Sequence, residues 1–216
     1  MNFQKIDKNA FTTSTWAHGE TTELFIYPEH SNYANREFLW RVSSATVNSD
    51  TSDFTPLFGV KRWIMPFDAA LQLMHEYNNK PLYSITLNPY EAHCFRGDWK
   101  TKSVGKVTDF NLMLKEEAYG LLKPIKLNPT KDLSLGALFQ EAFDERLPLD
   151  QHKVTLGLFS KTADVALEHL GERITCPAGD LLFVHYQLEE VDVLKKYILK
   201  ADSTDYTNLV LFAVAY

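Results

Sequence analysis

The stretch Phe38–Val47 alternates with a period of two. Phe38, Trp40, Val42, Ser44 and Thr46 fall on one side, and Leu39, Arg41, Ser43, Ala45 and Val47 on the other. Successive side chains of an extended strand point to opposite faces, so this pattern predicts a strand. Short runs of the same kind recur throughout. They are Glu23–Tyr27 (halted by Pro28), Arg62–Met65, Ala70–Tyr77, Leu82–Leu87, Ala92–Phe95 and Asp109–Leu114. After Gly120 come Thr155–Phe159, Ala163–Leu170, Ile174–Cys176, Leu181–Gln187 and the apolar Asn208–Tyr216. Asn78-Asn79-Lys80-Pro81 reads as a turn between two of them. Helical spacing is scarce, and only Leu133–Phe143 and Glu190–Lys200 are candidates, both ambiguous. Many short strands at close spacing predict an all-β sandwich or barrel.

A chain of 216 residues can hold one large domain or two smaller halves. The seam is expected between Leu114 and Asp132, where Lys123-Pro124 and Asn128-Pro129 interrupt the strand pattern. That divides the chain into 1–118 and 119–216, with the question open of whether the last strand returns to the first half. Hydrophobic residues at 45% and charged residues at 23% are those of a folded globular chain.

A net charge of −6 without a basic stripe argues against nucleic acid as a partner. No apolar run approaches the roughly 18–20 residues of a membrane span, so no membrane association is expected. Met1–Phe11 is polar and lacks the apolar core of a signal peptide. Two cysteines, Cys94 and Cys176, suit a reducing compartment. Together these predict a cytoplasmic protein. Oligomeric state is not legible.

Several words in the first half carry a resemblance when taken together. They are Trp16-Ala17-His18-Gly19, Thr22-Glu23-Leu24 with Pro28, and Phe38-Leu39-Trp40-Arg41-Val42-Ser43-Ser44-Ala45. Asp53-Phe54-Thr55, Phe58-Gly59-Val60-Lys61-Arg62, Phe95-Arg96-Gly97-Asp98 and Asp109-Phe110-Asn111-Leu112-Met113 follow in order. In this sequence and spacing the chain resembles the HutD/Ves family of the cupin superfamily. It departs from the family at His18-Gly19, where a double glycine is usual. The resemblance implies an RmlC-like double-stranded β-helix with two barrel-like halves, a link to amino-acid catabolism through histidine utilisation, and no settled catalytic activity.

A second word supports that fold. Gly171, Pro177 and Gly179 fit the spacing Gly-x5-Pro-x-Gly-x2-His of the second cupin motif, but Leu182 occupies the histidine position. Cupin metal sites use a His-x-His pair, a glutamate and a later histidine, and no His-x-His occurs in this chain. Neither a metal nor another cofactor is expected at the cupin position.

On the inward-facing assignment, Arg41, Ser43, Asp109, Asn111 and Met113 converge in the first barrel, joined by Arg62 and by His75 from the Leu71–Leu73–His75 face. Two arginines against one aspartate predict a net positive hollow, suited to a small anionic metabolite bound bidentately. A bland alternative stands beside it, in which Arg41 and Asp109 pair with each other. Two further readings remain open: a metal-independent isomerase or epimerase using His75 and Asp109 for acid–base work, and a barrel plugged by its own side chains that meets a protein partner. His93-Cys94 is no catalytic pair, since adjacent strand residues face opposite ways.

Overall fold

The computed structural model describes residues 1–143, 153–187 and 190–216. Nineteen strands are found among them. In chain order these begin with β1 (Asn2–Ile6), β2 (Thr12–Trp16), β3 (Gly19–Tyr27), β4 (Trp40–Val47), β5 (Thr51–Phe54) and β6 (Val60–Pro66). Next come β7 (Leu71–Tyr77), β8 (Lys80–Leu87), β9 (His93–Arg96), β10 (Lys100–Val104), β11 (Val107–Lys115) and β12 (Tyr119–Leu127). The rest are β13 (Leu133–Ser134), β14 (Lys153–Phe159), β15 (Val165–His169), β16 (Glu172–Cys176), β17 (Leu181–Gln187), β18 (Ile198–Ala201) and β19 (Thr207–Ala215). Among the described residues, the helices are α1 (Leu135–Phe143), α2 (Val191–Leu194) and a 3-10 turn at Lys8–Ala10.

The chain forms two compact units, Phe11–Ala118 and Met1–Ala10 with Tyr119–Tyr216. A boundary at 118 therefore misassigns the first ten residues. The reason is strand pairing: β1 runs antiparallel to β17, with Phe3 opposite Val184. The last strand does not return to the first unit either, because β19 pairs with β12 and β14 of its own unit.

The Phe11–Ala118 unit consists of a six-stranded sheet, β2-β3-β4-β11-β6-β9, and a four-stranded sheet, β5-β10-β7-β8, all antiparallel. Their inner faces meet in an apolar cluster. Ile64, Phe95 and Val107 from the first sheet pack with Leu71, Leu73 and Leu87 from the second. The β7–β8 hairpin turns at Asn78 and Asn79, both at positive φ (51° and 59°), as a two-residue primed turn requires.

The second unit repeats the plan with sheets β1-β17-β14-β19-β12 and β13-β18-β15-β16. Proline 124 does not end a strand here, contrary to the seam read from the sequence; Pro124 lies inside β12, opposite Val210. It is tolerated because β12 is an edge strand, where a missing N–H breaks no ladder bond. Of the two helix candidates, residues 135–143 are helical, whereas Glu190–Lys200 is only helical over Val191–Leu194 and then re-enters a sheet as β18. Antiparallel two-sheet units of this kind are the cupin form of the all-β class.

Candidate functional site

β11 runs between β4 and β6, and its register decides the site. Met113 stands opposite Arg41 on one side and Arg62 on the other. Two residues earlier, Asn111 stands opposite Ser43 and Ile64, and Asp109 opposite Ala45 and Pro66. Directly opposed residues share a face, so two guanidinium groups, a carboxyl, an amide and a hydroxyl occupy one face of the sheet. They line a hollow of about 270 Å³, walled also by Trp16, Thr21, Tyr33, Ser52, Phe54 and Thr55.

Arg41 is buried and ion-paired. Its Nε donates to Glu23 Oε2 at 2.6 Å and its Nη1 to Ser43 Oγ at 2.9 Å. Its Cζ lies 4.2 Å from the centre of the Tyr33 ring. The expected alternative partner, Asp109, is not the one chosen. The reason is the β3–β4 pairing, with an irregularity between Glu23 and Phe25, which brings Glu23 alongside Ser43.

Arg62 is different. It is 8% exposed, its Nε is buried with no partner, and Nη1 reaches only the Thr55 carbonyl at 3.5 Å. Phe54 and Phe95 hold its Cζ at 4.7 and 5.4 Å from their ring centres. Loss of water on burial lowers its pKa to about 10, so it remains charged at neutral pH.

Asp109 accepts a bond from Asn111 Nδ2 at 2.5 Å and one from the Ala45 backbone N–H. Burial drives its pKa up to about 7 against the opposing pull of the Asn111 bond and of the Arg62 charge. The hollow is thus less positive than the sequence led one to expect. Glu23 neutralises Arg41, leaving Arg62 as the cation without an ion-pair partner among those lining the hollow.

Of the seven residues singled out from the sequence, Arg41, Ser43, Arg62, Asp109, Asn111 and Met113 line this hollow, and His75 does not. His75 sits on β7 with both ring nitrogens engaged, Nδ1 to Thr101 Oγ1 at 2.9 Å and Nε2 to His93 Nε2 at 3.2 Å. An acid–base pair of His75 and Asp109 is therefore not assembled around one reacting atom. Sequence reading missed Glu23, Tyr33, Phe54 and Thr55. Glu23 lay within a quoted strand, and its charge on an otherwise apolar run was a usable signal. Tyr33 comes from the Pro28–Leu39 connection, whose path no periodicity reveals.

Among the described residues, no group of three or more His, Cys, Asp or Glu side chains is gathered as an ion site. At the cupin motif position, Leu182 is fully buried on β17 opposite Leu158, and an alkyl side chain donates nothing to a metal. The residues present do not fit that group. No helix among the described residues is long and apolar enough to cross a membrane.

Solved structures similar to the whole chain share this architecture. A conserved protein of unknown function from Pseudomonas aeruginosa PAO1 is 16% identical, with a TM-score of 0.72 and 100% of both chains covered. HutD from Pseudomonas fluorescens SBW25 is 17% identical, with a TM-score of 0.61 and 98% of each chain covered. An oxalate decarboxylase variant from Bacillus subtilis is 5% identical over 96% of this chain and 76% of its own, with a TM-score of 0.61. At such identities the likeness establishes the fold alone. No curated protein matches the chain. The HutD family model matches residues 8–193, most of the chain. That match spans both units, including the rows of β4, β11 and β6 that build the hollow, and the chain belongs to the HutD family.

Proposed function

We propose that the Phe11–Ala118 unit is a non-catalytic binding module for one small carboxylate-bearing metabolite, recognised chiefly by Arg62. The observation that carries this reading is a buried guanidinium facing a hollow with its hydrogen-bonding capacity mostly unused. An unsatisfied buried donor costs about 1–3 kcal/mol, more when charged, and an arriving carboxylate removes that penalty. The fork of Arg62 matches a carboxylate bidentately, while Asn111, Ser43 and Ser52 offer polar contacts around it. Ligand hollows usually measure about 300–1,000 Å³, so 270 Å³ selects a small molecule. The P. fluorescens HutD structure is described as a formate condition, and formate is the simplest carboxylate. In the cell such a module senses or buffers an anionic intermediate of amino-acid catabolism or a stress response.

The test is a thermal-shift series with formate and larger mono- and dicarboxylates on wild type, Arg62→Lys and Arg62→Gln. Ligand at a hundred times its Kd adds about 2.7 kcal/mol of stability, which raises Tm by about 5–10 °C in a chain of this size. Arg62→Lys keeps the charge without the fork and loses most of that rise; Arg62→Gln loses all of it. Equal stabilisation of the three proteins, or none of the wild type by any acid in the panel, overturns the reading.

A further inference from the structure

Outside the hollow, three potential donor atoms from three strands converge. His75 Nε2 (β7) and His93 Nε2 (β9) face each other at 3.2 Å, and the Tyr83 hydroxyl (β8) lies 3.4 Å from the same His93 nitrogen. Pairing of β7 with β8 sets His75 opposite Tyr83, while β9 arrives from the other sheet of the unit.

The hydrogen bonds around His75 are consistent with a proton on Nδ1. With the Thr101 hydroxyl turned to the Trp99 carbonyl at 3.4 Å, its oxygen is placed to accept from His75 Nδ1–H at 2.9 Å. With the proton on Nδ1, a bare Nε2 lone pair is turned toward His93. Metal-bound histidines characteristically fix their orientation by donating the distal N–H in this way.

We propose that His75 and His93, with the Tyr83 hydroxyl at their edge, form a site for a four-coordinate divalent transition-metal ion such as zinc. Two imidazole nitrogens bound to one tetrahedral ion at about 2.0–2.1 Å stand about 3.3 Å apart, and at right angles about 2.9 Å. The observed 3.2 Å falls beside the tetrahedral value. The Tyr83 hydroxyl stands at the edge of the pair as an oxygen donor. Phe95 and Trp99 wall the His75 ring at 4.9 and 5.3 Å, while Tyr83 is exposed. No His-x-His word announces the site, since each donor comes from a different strand. Its donors all belong to the Phe11–Ala118 unit, whereas Leu182 of the cupin motif belongs to the other, and it does not depend on carboxylate binding.

The experiment titrates zinc chloride into the chelator-treated full chain by calorimetry, and Co2+ by visible absorption. Saturable one-to-one binding with a four-coordinate Co2+ spectrum is expected. His93→Gln, at a half-buried position, weakens zinc binding at least tenfold, and Thr101→Val, which removes the acceptor that orients His75, weakens it about tenfold. The Tm of each metal-free variant reports folding. Should His93→Gln fold poorly, the Thr101→Val comparison and the wild-type Co2+ spectrum decide. Absence of saturable binding, a six-coordinate Co2+ spectrum, or unchanged affinity in both variants reduces the pair to an N–H···N hydrogen bond and overturns the proposal.

Discussion

Arg41 and Glu23 bind each other across β3 and β4, Nε to Oε2 at 2.6 Å, so one of the two arginines at the hollow is neutralised from within. The Glu23 side chain is 29% exposed, whereas Arg41 is 5% exposed. Replacing Glu23 by Gln leaves a nearly buried cation without its counter-charge. Full burial of both partners would make that loss about 3–5 kcal/mol. Water at Glu23 reduces it to about 2 kcal/mol. The same substitution frees Arg41 for an anion, so Glu23→Gln is expected to be less stable in denaturant titration yet to bind carboxylates more tightly. Tighter binding should be absent from the double variant Glu23→Gln/Arg41→Gln.

Asp109 predicts a pH dependence of stability. Its folded pKa of about 7 exceeds the unfolded value of 3.8, so the folded state holds a proton that the unfolded state releases between those limits. Stability therefore falls as pH rises from about 4 to 7, by an amount on the order of 4 kcal/mol, and levels off above. Asp109→Asn keeps the Oδ1 acceptor for Asn111 and removes the titration. Chemical denaturation should find the variant more stable than wild type at pH 8 and close to it at pH 5.

Ligand affinity should follow the same proton. Asp109 is flanked by Arg62 and Asp68, and Arg41 with its partner Glu23 belongs to the same sheet face. An anion entering this set repels the ionised form of Asp109 and favours the neutral one. Carboxylate binding to wild type is expected to be stronger at pH 6 than at pH 8, with proton uptake in calorimetry. The dependence should flatten in Asp109→Asn.

Tyr33 has two guanidinium groups against its ring, Arg36 at 4.3 Å and Arg41 at 4.2 Å from the ring centre. Each such contact contributes about 0.5–1 kcal/mol at a partly exposed site. Tyr33→Phe should therefore be nearly neutral, and Tyr33→Leu should lower stability by about 1–2 kcal/mol. Tm measured on both variants checks the ordering.

In the second unit Gly157 faces the Phe212 ring so closely that an added Cβ would stand 2.0 Å from it. Phe212 is fully buried and has no room to retreat. Gly157→Ala is expected to cost about 1–3 kcal/mol, or more, by overpacking, without changing the affinity of the folded protein for carboxylates. Denaturant titration and calorimetry on the same sample separate the two effects.

Strand periodicity made much of the architecture legible. Alternation at Phe38–Val47 and Asp109–Leu114 placed Arg41, Ser43, Asp109, Asn111 and Met113 on common faces, because side-chain direction along a strand is a local property. The same locality explains the errors. β1 reads as a polar N-terminus, and only its bond ladder to β17, far along the chain, assigns it to the second unit. Pro124 reads as a breaker until its strand is found at a sheet edge.

What this amino-acid order determined unaided was the all-β class, the family words, and which residues share a face of each strand. Tertiary pairing alone decided that Glu23 rather than Asp109 meets Arg41, that Arg62 is left short of acceptors, and that His75 joins His93 rather than the hollow. The physical reason is that side-chain alternation is written into neighbouring residues, whereas register and sheet order are set by contacts between segments distant in the chain. Charge compensation and burial follow those contacts, and so does the chemistry of each site.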